Sequence, residues 1–328
     1  MATQSGVATS DKVLNVSGLL LARTNVSTPI FNMIGANDPV NHDEFVLGAM
    51  YDMETGHQDG VSEQDSLVAP TPTFITRENL TNVTQIFHRA VDVSYKTQSQ
   101  GGDLSGNTAH LAGMTNSIGN MTEFDWQLAR KIEKVRDDIE YAIINSVFNR
   151  AATAADTQRT RGLVDAIETN VVDAATDELN SENLNAMLAM VAENSPMGAD
   201  RMVLLVNPAQ LGQFTKNLIN LYGQTPRISA VAAGANVVEY ISPWGTIGIM
   251  SHRYIPNGTA LAVKFDLLRN QWQPVPNKGA IFYEALAKVG ASERGQIYAQ
   301  YGLDYGYEFA HAKITNLADT TTPTVPAG

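Results

Sequence analysis

Few residues in the chain have the types and spacing that catalysis or metal binding requires. The six histidines include no His-x-His and no pair at i, i+4, the spacing that puts two zinc ligands on one helix face. Two of them have carboxylates close by in the sequence, His42 beside Asp43 and Glu44, and His57 near Asp59. That region shows no periodic pattern, whereas metal ligands need rigid elements to hold them. We therefore predict no metal site.

Paired carboxylates occur at Asp137, Asp138 and Glu140, inside a segment with helical periodicity. Adjacent residues on a helix point about 100° apart, so Asp137 and Asp138 do not converge on one substrate atom as an acid and a base would. Basic residues and a further glutamate surround them, which is typical of a solvated or interface face: Arg130, Glu133, Lys134 and Arg136. We interpret this cluster as that kind of face.

Glycine-rich stretches also lack the context that phosphate or cofactor binding needs. The stretch GGDLSGNTAH at 101–110 contains no Lys-Ser/Thr, and AAGAN near Gly234 lacks the three glycines of a dinucleotide site. No Gly-x-Ser-x-Gly elbow is present, and the absence of cysteine excludes disulfides and thiolate chemistry. We predict no catalytic residue and no cofactor. A soluble α/β enzyme with a dispersed site remains the alternative from a different class.

Composition narrows the function further. The 328 residues are 44% hydrophobic and 17% charged, which suits a globular core. A net charge of -12 disfavours sequence-independent nucleic-acid binding, which depends on Lys and Arg neutralising phosphates. No run approaches the roughly 18 apolar residues of a membrane span, so no membrane partner is expected.

The first hundred residues read as an arm followed by a two-faced ribbon. Residues 1 to about 70 carry turn formers and short apolar patches without a sustained period, which predicts an extended arm. Residues 73–97 are rich in β-branched and aromatic types, and Arg77-Glu78-Asn79 is turn-prone, so a hairpin or long strand pair is predicted. Its apolar residues lie on both faces and are interface candidates: Val83, Ile86, Phe87, Val91 and Val93.

Residues 121–150 give the strongest helical pattern. Apolar residues recur at steps of three and four along one stripe, at Met121, Phe124, Leu128, Ile132, Val135, Ile139, Ile143 and Val147. A long helix with one apolar side must lie across a sheet or a partner. We predict that it packs through Phe124, Leu128, Ile132, Val135, Ile139 and Ile143.

The second half of the chain mixes helices and short strands. A helix is predicted over 179–194 and another from Pro208, with strands at 201–206, 236–241, 246–250 and 260–265. Residues 296–309 alternate apolar and polar types, which predicts one long strand with an aromatic face. The buried face is expected to carry Ile297, Tyr301, Leu303, Tyr305 and Phe309.

Several stretches, in this order, resemble the major capsid proteins of tailed bacteriophages with the Hong Kong 97-type fold. They are NVTQIFHRAVDVSYKT at 82–97, KIEKVRDDIEYAIINSVFNRA at 131–151, VVEYISPWGTIGIM at 237–250, EALAKVGASERGQIYAQYGLDY at 284–305 and EFAHAKITNL at 308–317. The resemblance covers about residues 70–317. It implies an α+β fold with an N-terminal arm, an extended β-loop, a peripheral domain containing a long spine helix and long strands, and an axial α/β domain.

The resemblance also implies boundaries. The arm would span 1–45, the extended loop 46–110, the peripheral domain 111–180 with 260–317, and the axial domain 181–259, before a flexible tail at 318–328. Some relatives crosslink through a Lys–Asn bond. Lys96 is the only lysine between Lys12 and Lys131 and lies at the base of the ribbon, so no crosslink is expected.

The implied function is self-assembly into hexamers and pentamers of an icosahedral shell around packaged double-stranded DNA, without specific DNA binding. Such a protein would reside in the virion capsid after assembly in the host bacterial cytoplasm. Its partners would be further copies of itself, a portal protein, a scaffolding protein and a decoration protein. An encapsulin-like compartment shell shares the fold and is the alternative within this class.

Overall fold

The structure, a computed structural model, describes residues 27–51, 60–100, 123–222, 228–232 and 235–318. Within these ranges the helices are α1 (Pro29–Met33), α2 (Tyr95–Gln100), α3 (Glu123–Asn145), α4 (Leu163–Ala166), α5 (Ser181–Asn194) and α6 (Pro208–Tyr222). The flexible tail predicted at 318–328 falls outside the described residues apart from Ala318.

The strands of the described residues form three sheets. In chain order they are β1 (Gly35–Ala36), β2 (Glu44–Tyr51), β3 (Arg77–Val83), β4 (Gln85–Ser94), β5 (Val171–Asp173), β6 (Val203–Val206), β7 (Ile228–Ala232), β8 (Ala235–Ser242), β9 (Gly245–Ser251), β10 (Ala260–Val263), β11 (Arg269–Trp272), β12 (Ile281–Ala285), β13 (Ser292–Asp304) and β14 (Ala312–Thr315).

The five-stranded sheet is organised around β13. Along its length β13 pairs antiparallel with β4, β12 and β11, and the short β1 adds to β11 in parallel. Alternate residues of β13 are buried, as its period of two predicts. Helix α3 lies against this sheet, and its fully buried Val135, Ile139 and Ile143 share one core with the strand. Each such side chain contributes about 1.5–3 kcal/mol through burial.

Helix α3 ends at Asn145, five residues before the predicted end, and Val147 is 59% exposed rather than part of the stripe. A later segment of the chain passes over the last turn of α3 at Gly162, where an added Cβ would lie only 2.7 Å from the carbonyl oxygen of Ala142. Gly162 N–H donates to Ser146 O at 2.8 Å, and Phe148 N–H donates to the Asp165 carboxylate at 3.0 Å. This later segment therefore makes hydrogen bonds with backbone groups that a longer helix would have used for its own next turn.

The predicted hairpin within 73–97 is wrong. Arg77-Glu78-Asn79 lies inside β3, and β3 pairs with the earlier strand β2 in a two-stranded ribbon. Strand β4 follows after the single residue Thr84 but pairs with β13 in the five-stranded sheet. Both halves are strands, as their composition indicates, but their partners are distant in sequence, and local composition carries no information about distant partners.

The long terminal strand begins earlier and ends earlier than predicted. Strand β13 starts at Ser292 and stops at Asp304, where Asp304 Oδ1 accepts a hydrogen bond from Gly306 N–H at 2.9 Å. Gly306 has φ of +65°, a left-handed conformation that turns the chain out of the strand. A 3₁₀ turn follows at Glu308–Ala310, so Tyr307 and Phe309 do not continue the face. Tyr305 is nevertheless buried.

The seven-stranded sheet has the order β5-β14-β10-β6-β9-β8-β7. Helix α5 lies against it, and Leu184, Met187, Leu188 and Val191 are fully buried on the predicted face. Asn180 caps this helix by accepting a hydrogen bond from Asn183 N–H at 2.8 Å. Strands β10 and β14, assigned to the peripheral domain, are hydrogen-bonded into the sheet that contains the described strands of the 181–259 segment, β6 to β9. The proposed boundary at 259/260 therefore runs through a continuous sheet.

Candidate assembly surfaces

The most unusual surface of the subunit is a run of exposed chain. Every residue from Gly60 to Asn79 is exposed, and this run includes the outer end of β3. Two large apolar side chains there are almost entirely in solvent, Leu67 at 83% and Phe74 at 90% exposure. Large apolar side chains that are exposed in this way are candidates for a contact with another protein molecule. We call residues 60–79 the exposed segment.

The exposed segment lies beyond a two-stranded ribbon. Strands β2 and β3 pair antiparallel from Glu44 opposite Val83 to Tyr51 opposite Arg77, with an irregularity between Val46 and Gly48. Two strands alone do not make a stable sheet in water. The ribbon is therefore held at its base by the body of the subunit, and its outer part is available to a second molecule.

Four of the five predicted interface residues lie elsewhere than expected. Val83, Phe87, Val91 and Val93 are all at most 7% exposed. They are packed inside the subunit, where a neighbouring copy cannot reach them. Pairing of β4 with β13 carries Phe87, Val91 and Val93 into the body, and Val83 is buried where β3 ends at the base of the ribbon. This corrects the expectation that they line the surface of an extended loop. Ile86, at 55% exposure, is the one that stays on the surface.

The residues predicted for the helix and the long strand face each other in the body. Phe124, Val135, Ile139 and Ile143 are buried, and Leu128 and Ile132 pack against the core from its edge. Val135, Ile139 and Ile143 share one core with the buried side chains of Ile297, Tyr301, Leu303 and Tyr305. Phe124 packs in a separate cluster with Val91 and Val93. Burial raises the pKa of Tyr301 well above its usual value, and the Tyr301 hydroxyl donates to Asn270 Oδ1 at 2.8 Å.

A buried carboxylate on α3 holds the start of the described chain. Glu140 is fully buried, and its two oxygens accept hydrogen bonds from Ile30 N–H and Phe31 N–H, each at 2.8 Å. His252 Nε2 lies 2.9 Å from Glu140 Oε1. Because His252 Nδ1 accepts from Tyr254 N–H at 3.2 Å, Nε2 carries the proton and donates to Glu140. Glu140 thus connects α1, α3 and the residues after β9.

Asp137 is also buried, which corrects its interpretation as part of a solvated face. Its carboxylate accepts hydrogen bonds from Lys134 at 2.5 Å and the Tyr254 hydroxyl at 2.6 Å, and it pairs with Arg253. Burial alone would raise the pKa of Asp137, but the hydrogen bonds from Lys134 and Tyr254 and the charge of Arg253 outweigh it and lower that pKa. A sequence signal existed, since Ala142-Ile143-Ile144 indicates burial around most of the helix at this end.

Among the described residues, the remaining chemical candidates form no centre. Within the described residues no group of three or more His, Asp or Glu could hold a metal ion, and no helix is long and apolar enough to span a membrane. His57, Asp59 and the stretch 101–110 lie outside those residues. His311 is structural: Nε2 donates to Tyr305 O at 2.7 Å and Nδ1 accepts from Lys264 N–H at 3.2 Å. Burial lowers the pKa of His311 to about 4.

Residues 27–40, which we call the N-terminal segment, are bound to the body rather than free. Asn270 Nδ2 donates to the carbonyl oxygens of Phe31 and Ile34 at 3.3 and 3.1 Å. Strand β1 pairs with β11, and Gln271 Nε2 donates to Asp38 O at 2.7 Å. The arm predicted at 1–45 is thus attached through its described part, and residues 1–26 are outside the described chain.

The fold and the exposed ribbon together define the class of protein. The structure is similar to the capsid of Myoviridae phage XM1, with a TM-score of 0.57 and 14% identity over 96% of this chain and 100% of that chain. The cyanophage A-1(L) capsid matches with a TM-score of 0.58 and 14% identity over 94% and 98%. The SrpI encapsulin of Synechococcus elongatus PCC 7942 matches with 0.59 and 14% over 92% and 94%. The chain therefore has the Hong Kong 97-type α+β fold of shell proteins.

The family follows from sequence. The profile of the SU10 major capsid protein family matches residues 2–318, so the chain belongs to that family and is a major capsid protein of a phage shell. No curated protein sequence shows significant similarity to it. The resemblance inferred from five sequence stretches and the predicted fold class are both confirmed. Family and fold point to a structural, non-enzymatic role that depends on self-association.

Proposed function

We propose that the chain assembles into the hexamers and pentamers of an icosahedral shell that encloses packaged double-stranded DNA. The exposed segment is the observation that supports this most directly. Leu67 and Phe74 gain nothing in an isolated subunit, whereas a neighbouring copy would remove them from water at about 25 cal/mol per Å² of apolar area. A surface that is costly alone and favourable in contact drives association.

The charge of the chain fits a container for DNA. With a net charge of -12, the subunit repels a phosphate backbone on average and offers it no general attachment. DNA would be held by confinement and not by specific contacts. We extend the proposal to the partners of such a shell, namely a portal, a scaffolding and a decoration protein, and to assembly in the host bacterial cytoplasm before the shell becomes part of the virion.

Electron microscopy and sedimentation of the expressed full chain test the proposal. Closed particles with five- and six-fold clusters of subunits are the expected result. A single species of 35.4 kDa that persists at high concentration, alone and with the cognate scaffolding protein, would contradict it.

An encapsulin-like compartment is the second candidate, because the SrpI encapsulin has the same fold over 92% of this chain. The contents of particles taken from the natural source distinguish the two. Nuclease-protected DNA of uniform length supports the capsid, and folded cargo protein identified by mass spectrometry, without DNA, supports the compartment.

A further inference from the structure

The ribbon joins the body of the subunit over a very short stretch of chain. Strand β3 ends at Val83 in the ribbon, and β4 begins at Gln85 in the five-stranded sheet, so one residue separates two different sheets. The direction in which the ribbon projects is set where β3 meets β13. Side chains at this junction control that direction because no flexible linker intervenes.

Asn82 occupies the centre of the junction and is fully buried. Its Nδ2 donates to Leu303 O of β13 at 2.7 Å and to Arg161 O at 3.3 Å. Its Oδ1 accepts from Arg161 N–H and Val83 N–H, each at 2.8 Å. Both donor hydrogens and two acceptor positions of the amide are used, so this side chain holds three chain segments in one arrangement.

The other ribbon strand, β2, also packs against β13 at this junction. Phe45 of β2 stands opposite Asn82 in the register of the ribbon and is 5% exposed. Its ring rests on Gly302 of β13, where an added Cβ would lie 2.6 Å from a ring carbon. The cross-strand pair Phe45 and Asn82 therefore contacts two consecutive residues of β13, one by packing and one by hydrogen bonding.

A second layer of polar contacts follows at Thr84. Its hydroxyl donates to Gln273 Oε1 at 2.6 Å, and its backbone N–H donates to Asp43 O at 2.8 Å. Gln158 Nε2 donates to Thr84 O at 2.9 Å. The base of the ribbon is thus fixed immediately before β2 and immediately after β3.

We propose that Asn82 is a positioning residue for assembly, which sets the angle of the ribbon and so the geometry at which neighbouring copies join. The inference rests on the proposed function. The seven residues of β3 make a lever about 23 Å long at about 3.3 Å per residue, so a tilt of about 10° at the base moves the outer end by about 4 Å. A displacement of that size changes which side chains of a neighbour the exposed segment meets.

Asn82→Ala and Asn82→Asp test this role. The first removes all of the amide's hydrogen bonds, and the second places carboxylate oxygens against the carbonyls of Leu303 and Arg161. In the unassembled subunit, hydrogen exchange at residues 77–83 should become roughly tenfold faster, because a buried hydrogen-bond network is lost. In the assembly reaction, most particles should leave the wild-type size class and become open or variable in diameter in electron micrographs.

Two controls separate positioning from stability alone. Thr81→Ala changes the half-buried neighbour of Asn82 on the same strand, outside the exposed segment, and should give wild-type particles. Ile143→Val lowers stability in the core away from the junction and should also give particles of wild-type diameter. If Asn82→Ala does not fold, Thr84→Val carries the test, since it keeps the β-branched shape and removes the hydroxyl donor to Gln273.

The outcomes are distinct. Wild-type particle diameter with a folded Asn82→Ala or Thr84→Val overturns the positioning role. The same size defect in Ile143→Val at equal stability also overturns it, because the defect then follows from stability. Absence of closed particles from the wild-type chain refutes the proposed function itself. Altered diameters in the junction variants alone, with faster exchange confined to the ribbon base, support the inference.

Discussion

The N-terminal segment and the exposed segment both lack a core of their own, but only the N-terminal segment is packed against the body of the subunit. The first is bound by the Glu140 carboxylate, by Asn270 and by a short parallel pairing with β11. The second is exposed at all of its residues. Both contain large apolar side chains, for example Phe31 and Phe74. The difference teaches that one segment is packed within the subunit, whereas the other is exposed there and, as we propose, is covered by a neighbouring copy.

The largest expected effect comes from charging the exposed segment. The double variant Leu67→Asp and Phe74→Asp should abolish particle formation, because it puts two charges into a contact that requires desolvation. Its free energy of unfolding should stay within about 0.5 kcal/mol of the wild-type value, since both side chains are in solvent. Particle yield by sedimentation and unfolding by urea provide the two readouts.

The double variant Thr157→Asp and Thr246→Asp serves as the control, with the same two charges at exposed polar positions outside the exposed segment. It should assemble. Normal particles from the double variant would show that the two segments do not differ in the way described.

Glu140→Ala should have the largest effect on the stability of the subunit. It leaves Ile30 N–H, Phe31 N–H and His252 without their buried acceptor, at a cost of about 3–5 kcal/mol. Urea unfolding of the unassembled subunit measures the loss. Glu133→Ala, on the same helix but in an exposed pair with Arg130, should cost only about 0.2–1 kcal/mol. Equal losses in the two variants would argue against the anchoring role of Glu140.

Lowering the pH should destabilise the body of the subunit through protonation of His311, and it should leave the exposed segment unaffected. The folded-state pKa of about 4 lies below the ordinary 6.5, so the unfolded chain binds a proton that the folded chain excludes. This stability is complete above pH 6.5 and is lost as pH falls from 6.5 through about 4, by about 3 kcal/mol in all. Unfolding free energies measured over this range should fall for the wild type.

A His311→Gln variant removes that titration and should show a correspondingly shallower fall between pH 6.5 and 4. Identical slopes for the two proteins would mean that His311 is protonated in the folded subunit or does not change state on unfolding.

The smallest effect is expected at Asn270→Ala. It removes the amide that binds Phe31 O and Ile34 O and that accepts from the Tyr301 hydroxyl, at a cost of about 1–3 kcal/mol. Hydrogen exchange should increase in the N-terminal segment and at β11 but not in the exposed segment. Exchange that increases equally in both segments would contradict the separation of the two.

Local patterns in the sequence predicted the elements that have one apolar face. The stripe from Phe124 to Ile143, the face of α5 and the alternation from Ile297 to Leu303 all report directly on which side of an element is buried. Their ends were less accurate. Helix α3 ends at Asn145 because Gly162 contacts its last turn, and β13 ends at Asp304 because the chain turns at Gly306. Hydrophobic periodicity shows neither of these causes.

Partnership between distant segments could not be predicted. The composition of 73–97 indicates strands, but β3 joins β2 and β4 joins β13, which places Val83, Phe87, Val91 and Val93 inside the body. Asn82 gave no signal either, because a buried asparagine is recognised only when its four hydrogen-bond partners are known.

By itself, the sequence determined the class of the protein, the absence of cysteine chemistry, the long helix and the aromatic strand. The class followed from the resemblance of five stretches to a known family, whereas the helix and the strand followed from periods of 3.6 and two, which are local properties. Only the tertiary structure decided that Glu140 and Asp137 are buried anchors, that the N-terminal segment is bound and that the exposed segment is not. Burial and hydrogen bonding join residues that are more than a hundred positions apart. Which distant residues come into contact is determined by the tertiary fold and not by the residues next to them in the sequence.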